Sequence, residues 1–265
     1  MQRIAFKLVT LLMLLAPGAC ARPDAAAMRV DYGRWSEDGL AQRIAAVRPL
    51  PPGARIAALS EAFLGTPYAG GTLVGSPERP EQLVIDLAGV DCFTFLDQVE
   101  ALRRAASLAD FPRQLRQVRY RGGVVSYTSR RHFFSDWVAD DAARIEDVTA
   151  AVGQGRAELV VKELNRREDG SLWLPGLAMT RRALSYIPTP RVDREVLAAL
   201  QVGDYVGIYA PHAGEEVSHT GLVIRTGDQV LLRHASSARG LRRVVDVDLL
   251  QYLQGKPGLL VYRPR

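Results

Sequence analysis

Ser218-His219-Thr220-Gly221-Leu222-Val223-Ile224 is followed, across Thr226-Gly227-Asp228, by Val230-Leu231-Leu232-Arg233-His234. Two β-type apolar runs joined by a Gly-Asp turn predict a hairpin. His219 opens the first run and His234 closes the second, so pairing would bring both imidazoles to the same end. Similar short runs lie at 205–209 and 259–262, and 246–253 reads as a helix before the last of them. Upstream the periodicity is helical. Leu40, Ile44 and Val47 recur at helical spacing over 36–47, with Ser36 as N-cap and Glu37 and Asp38 in the first turn. A second helix is expected over 55–64, ended by the Gly- and Pro-rich loop 65–71, and a short strand at 83–87. Val118 to Tyr127 reads as a hairpin around Gly122-Gly123, and 141–152 as helical or irregular. Helices first and strands later predict an α+β domain with a largely antiparallel sheet, spanning 22–265.

From Asp91 onward Phe95, Val99, Leu102 and Ala106 form an apolar stripe, which puts Cys92 in the first turn of a helix. A thiolate attacks a carbonyl carbon where a thiol does not, and a free cysteine of pKa ~8.5 is mostly thiol at neutral pH. The unpaired N–H groups of a helix N-terminus favour the anion, and a neighbouring imidazole would take the proton. His219 is the candidate base, with His234 holding its ring. A lone buried cysteine also packs as a small hydrophobe, so position alone leaves Cys92 either structural or catalytic. Cys92, His219 and His234 could instead ligate zinc, although no HExxH, CxxC or His-x-His pair accompanies them. His212 reads as a surface residue. His132 reads as a core or substrate-contact residue.

Arg3 and Lys7 precede an apolar run from Leu8 to Ala16, and then Pro17-Gly18-Ala19-Cys20-Ala21. Charge, short apolar core and small residues in that order predict a secretory signal peptide over 1–21. The run is about half the ~20 residues a membrane span needs. Gly18-Ala19-Cys20 resembles the end of a lipobox, which would make Cys20 a lipidated N-terminus; cleavage after Ala21 is the competing reading. The expected location is the periplasm, with membrane attachment through that lipid alone. Among 265 residues there are only two cysteines, Cys20 and Cys92, so Cys92 stands alone in an oxidising compartment. The net charge of +5 comes from arginines spread along the chain, with no clustered basic stripe or nucleic-acid motif. That excess suits an anionic polymer or peptides with free carboxylates.

Taken together, Leu64-Gly65-Thr66-Pro67-Tyr68, Asp91-Cys92, Ser218 to Ile224 and His234-Ala235-Ser236-Ser237 resemble the NlpC-type papain-like cell-wall hydrolases in motif and order. Within them the resemblance is to the N-acetylmuramoyl-L-alanine amidase-like branch. It rests on Gly71-Thr72-Leu73, Asp91 to Phe95, Arg131 to Trp137, Tyr186-Ile187-Pro188 and Gly203-Asp204. The resemblance implies a papain-like fold and amide hydrolysis without a cofactor. It further implies Cys92 as nucleophile, His219 as base, His234 as the third member and Tyr68 as an oxyanion partner. Phe93 and Thr94 replace the superfamily's small residues after the nucleophile. The implied substrate is peptidoglycan or soluble muropeptides, cut between muramic acid and L-Ala. Cleavage at γ-D-glutamyl bonds, or a silent wall-binding role, are the alternatives. Arg130 and Arg131, beside His132, are expected to meet stem-peptide carboxylates, or else to pair with Asp136 and Asp140.

Overall fold

In the computed structural model, which describes residues 28–265, β1 (Met28–Asp31) leads into α1 (Glu37–Val47). The expected leader with Cys20, and residues 22–27 after it, lie outside the described residues. Ser36 caps α1 by accepting the Gly39 N–H at 3.1 Å. α2 (Pro52–Glu61) begins three residues before its expected start. Pro52 initiates this helix, because the N–H it lacks would have no helical partner at that position. β2 (Leu83–Asp86) pairs in parallel with β1 and delivers the chain to α3 (Cys92–Arg104), then α4 (Phe111–Arg119).

The hairpin expected at 118–127 does not form. Val118 and Arg119 finish α4, and Gly122 and Gly123 take positive φ (61° and 68°) in a 3-10 turn. Paired glycines signal left-handed backbone, which ends a helix as readily as it turns a hairpin. α5 (Asp136–Asp140), β3 (Ile145–Asp147) and α6 (Thr149–Gly153) follow as short pieces.

The rest is mostly sheet. β4 (Glu158–Leu164) and β5 (Thr180–Pro188) form a hairpin, and α7 (Arg194–Ala199) leads to β6 (Tyr205–Tyr209). β7 (Val217–Thr226), β8 (Gln229–Ala235), β9 (Val244–Asp248), α8 (Leu249–Leu253) and β10 (Gly258–Pro264) complete the chain. The strand order is β4-β5-β10-β6-β7-β8-β9, antiparallel throughout, with β3 also on β10. The helix expected from Asp246 starts at Leu249, and the residues before it form edge strand β9. Among the described residues no helix is long and apolar enough to cross a membrane.

Period-two alternation sorts the central strands onto two cores. Tyr205, Leu222, Leu260 and Tyr262 face α1 to α4, while Val206, Val223, Leu259 and Val261 face α6, α7 and α8. Because both faces are covered, these strands read as continuous apolar runs. Phe95, Val99 and Leu102 of α3 are fully buried, each worth roughly 1.5–3 kcal/mol of transfer free energy, and they seat the helix on the sheet. Glu100 adds a polar lock. Burial pushes its carboxyl up, but Arg104 and Arg103, with the Tyr205 hydroxyl of β6, outweigh that and hold it at about 2.

Candidate active site

Asp91 is the N-cap of α3. Its carboxylate accepts the N–H groups of Phe93 (3.0 Å) and Thr94 (2.7 Å), and Thr94 Oγ1 accepts the Asp91 N–H at 2.9 Å. This reciprocal capping box fixes the first turn, and with it the half-buried Cys92. The loop carrying Tyr68 is strapped along the same segment. Ala69 N–H donates to Val90 O at 3.0 Å, Val90 N–H to Pro67 O at 3.1 Å, and Tyr68 N–H to Arg242 O at 2.9 Å. A Cβ on Gly89 would lie 2.7 Å from Ala69 Cβ, so this close approach requires glycine there.

β7 supplies the next groups. Its pairing with β6 slips between Ile208, opposite His219, and Tyr209, opposite Val217. The slip leaves Ser218 as the extra residue of a bulge, a device that re-aims the strand beside a site. Thr220, 3% exposed, donates its hydroxyl to the Cys92 carbonyl at 2.9 Å and ties the start of α3 to β7. The β7–β8 register pairs Leu222 with Arg233, which makes His219 and His234 diagonal neighbours at one end of the hairpin. Their rings stand at 87°, with His219 Nε2 2.7 Å from His234 Nδ1.

Burial dominates the electrostatics. It pushes His219 down to about 3, helped by the nearby cationic positions of His234 and Lys256. It pushes His234 down to about 4 against the Asp246 carboxylate. Both imidazoles are therefore neutral at pH 7, and the short contact between them is one N–H donated to one lone pair. Burial and then Asp91 push the Cys92 thiol up, while hydrogen bonds from Thr220 pull it down. Tyr68 is raised by burial and by the charges of Cys92 and Asp91, which Arg242, with its guanidinium 5.3 Å from the ring centre, opposes.

Cys92, Tyr68, His219 and His234 thus converge where α3, the 66–69 loop, β7 and β8 meet. Three participants escaped the sequence reading. Thr220 stands in the quoted strand but looked like an ordinary strand residue, and Arg242 lies in a loop without local signal. Tyr252 of α8 lies against both imidazoles, its ring centre 6.0 Å from His219 and 4.9 Å from His234.

Of the two roles expected for Arg130 and Arg131, the structure shows pairing within the protein, for Arg131 with Asp140 as named and for Arg130 with Glu81 instead. Arg130 forks onto Glu81 and donates to Gly75 O at 3.2 Å. Arg131 is buried and donates to the carbonyls of Gln117 (2.6 Å), Val118 (2.8 Å) and Tyr120 (3.4 Å), with Asp140 at 3.3 Å. Both guanidiniums serve the end of α4 and its neighbours. His132 holds Tyr127 O through Nε2 at 2.8 Å and lines a 250 Å³ cavity with Phe133, Trp173 and Leu174. His212 is exposed. Among the described residues no three His, Cys, Asp or Glu side chains are grouped to hold a metal ion.

A family model described as AmiA-like, N-acetylmuramoyl-L-alanine amidase-like, matches residues 58–259, a span that includes every residue of this site. Similar solved structures include a Legionella pneumophila protein, with TM-score 0.74 at 22% identity over 86% of this chain and 94% of that one. An N-acetylmuramoyl-L-alanine amidase of Bacteroides uniformis gives TM-score 0.69 at 26% identity, over 81% of this chain and 99% of that one. A Bacteroides fragilis protein provisionally named a xylanase gives 0.64 at 28% identity, over 78% and 99%. Comparison with curated proteins gave no match.

Proposed function

Because the chain belongs to the N-acetylmuramoyl-L-alanine amidase-like family, we propose that it hydrolyses the amide between the lactyl group of N-acetylmuramic acid and L-Ala, with Cys92 as nucleophile. The substrate is peptidoglycan or its soluble muropeptides. The observation that carries this reading is the 2.7 Å His219–His234 contact, beside a cysteine held at a helix N-terminus by the residue that follows His219. That arrangement, on an antiparallel sheet, also supports a papain-like, NlpC-type ancestry.

In this reading His219 donates Nε2–H to His234 Nδ1, which leaves its own Nδ1 lone pair as the base. Since thiol and imidazole are both neutral at rest, proton transfer accompanies attack rather than preceding it. The Cys92 sulfur bonds to the carbonyl carbon as its proton passes to His219. The backbone N–H of Cys92 and the Tyr68 hydroxyl face the developing oxyanion. His219 then protonates the leaving amine of L-Ala, the C–N bond breaks, and a thioester remains. Water, deprotonated by His219, releases the lactyl carboxylate and restores the thiol. The xylanase name of one neighbour is not carried over, because glycoside hydrolysis runs on a pair of carboxylates and this site groups a thiol, imidazoles and phenols. The leader-like residues 1–21 support action in the periplasm, and Gly18-Ala19-Cys20 supports a lipid anchor on Cys20.

Two reagents test the mechanism. Iodoacetamide should abolish release of products from purified wall, and EDTA should leave it intact. Loss in EDTA with recovery on added zinc would overturn the thiol mechanism in favour of metal ligation by Cys92, His219 and His234.

A further inference from the structure

His234 is 3% exposed, and its Nε2 is buried without a hydrogen-bonding partner. Its Nδ1 is engaged by His219. A neutral imidazole carries one proton, so the 2.7 Å contact has two forms. In one, His219 donates from Nε2, its Nδ1 is a free lone pair, and His234 carries its proton on Nε2. In the other, His234 donates from Nδ1, His219 is protonated on Nδ1, and no base is available to Cys92. The competent form thus places an N–H where no oxygen or nitrogen receives it. The form without a base places a lone pair there.

Tyr252 packs on His234, its ring centre 4.9 Å away and its plane inclined at 63° in an edge-to-face arrangement. The face of an aromatic ring is electron-rich: it attracts an N–H and repels a lone pair. We propose that Tyr252 is a positioning residue whose ring face receives His234 Nε2–H and so selects the tautomer in which His219 is a base. Tyr252 also lies 6.0 Å from the His219 ring, and burial, then the charge of nearby Cys92, push its hydroxyl pKa up. The face, and not the hydroxyl, does this work, so phenylalanine should replace tyrosine without loss.

This role rests on the thiol mechanism for its catalytic meaning, but the tautomer is measurable without turnover. Ring-nitrogen NMR of protein with 15N-labelled histidine, assigned through His234→Asn, should show His234 protonated at Nε2 and His219 also at Nε2 near pH 7. The His234 Hε2 resonance should be displaced upfield by the Tyr252 ring current. Tyr252→Phe should keep both signatures and kcat within about twofold. Tyr252→Leu should lose the upfield displacement, mix the tautomers, and lower kcat roughly threefold to tenfold with KM little changed, the scale of one weak N–H···π contact. Wild-type His234 protonated at Nδ1 would overturn the proposal, and that reading needs no variant to fold. Equal loss of kcat in Phe and Leu variants would overturn it too. Correct tautomers in a protein that cleaves no muropeptide would leave it standing and sink the amidase reading instead.

Discussion

Thr220→Val removes one hydroxyl and keeps a β-branched side chain of nearly the same shape in a buried strand position. The wild-type hydroxyl donates to the Cys92 carbonyl at 2.9 Å, and Thr220 hydrogen bonds also hold the thiol pKa down against burial and Asp91. A neutral hydrogen bond of this kind contributes about 1 kcal/mol net. If that contribution acts on the start of α3 and on the sulfur together, kcat/KM should fall about fivefold at neutral pH. The pH at which iodoacetamide reacts half-maximally with Cys92 should rise, because the ionised sulfur has lost a donor. Thermal unfolding should show a comparable loss of about 1 kcal/mol in stability. The assay is alkylation rate against pH, read by mass spectrometry, beside turnover and unfolding curves. A Val variant that unfolds earlier yet alkylates and turns over like wild type would refute the reasoning, leaving Thr220 as packing alone.

Arg131→Ala should cost roughly 1–3 kcal/mol in chemical denaturation, because it strands the carbonyls at the end of α4, with KM for charged stem peptides unchanged; a rise in KM without loss of stability would reverse that assignment. The two imidazoles titrate near 6.5 when unfolded and at about 3 and 4 when folded, so stability should decline as pH falls through that interval while the unfolded chain takes up protons the folded one refuses. Glu216, raised by burial from 4.5 to about 7, acts in the opposite sense between those values. His234→Asn should therefore flatten the decline between pH 6.5 and 4 in unfolding midpoints, and an unchanged slope would count against a neutral buried pair.

The hairpin with its two imidazoles was legible in the sequence because strand 217–226, the turn and strand 229–235 are continuous apolar runs, and chemistry restricts what can stand at their ends. Cys92 was legible for the same reason, and Asp91 with Thr94 three residues later was an unread capping-box signal beside it. The β4–β5 hairpin was not legible, because its alternation is inverted. Leu159 and Val161 are 73% and 50% exposed, while Lys162 points inward and donates to the carbonyls of Ala210, His212 and Glu215. A buried lysine satisfied by three carbonyls reads, in sequence, as a solvent-facing charge. Of the partners of Arg130 and Arg131, only Asp140 was within reach of local pattern; the others lie at the end of α4 and in the 75–81 loop. Tyr252 becomes visible only when α8 is folded back over the two strands.

The central claim is tested most directly by mass spectrometry of defined muropeptides after incubation with wild type and with Cys92→Ala. Wild type should yield a free stem peptide beginning with L-Ala and a sugar retaining its lactyl carboxylate, and Cys92→Ala should yield neither while unfolding like wild type. The same products from Cys92→Ala, or wild-type products cut inside the stem peptide, would contradict the account.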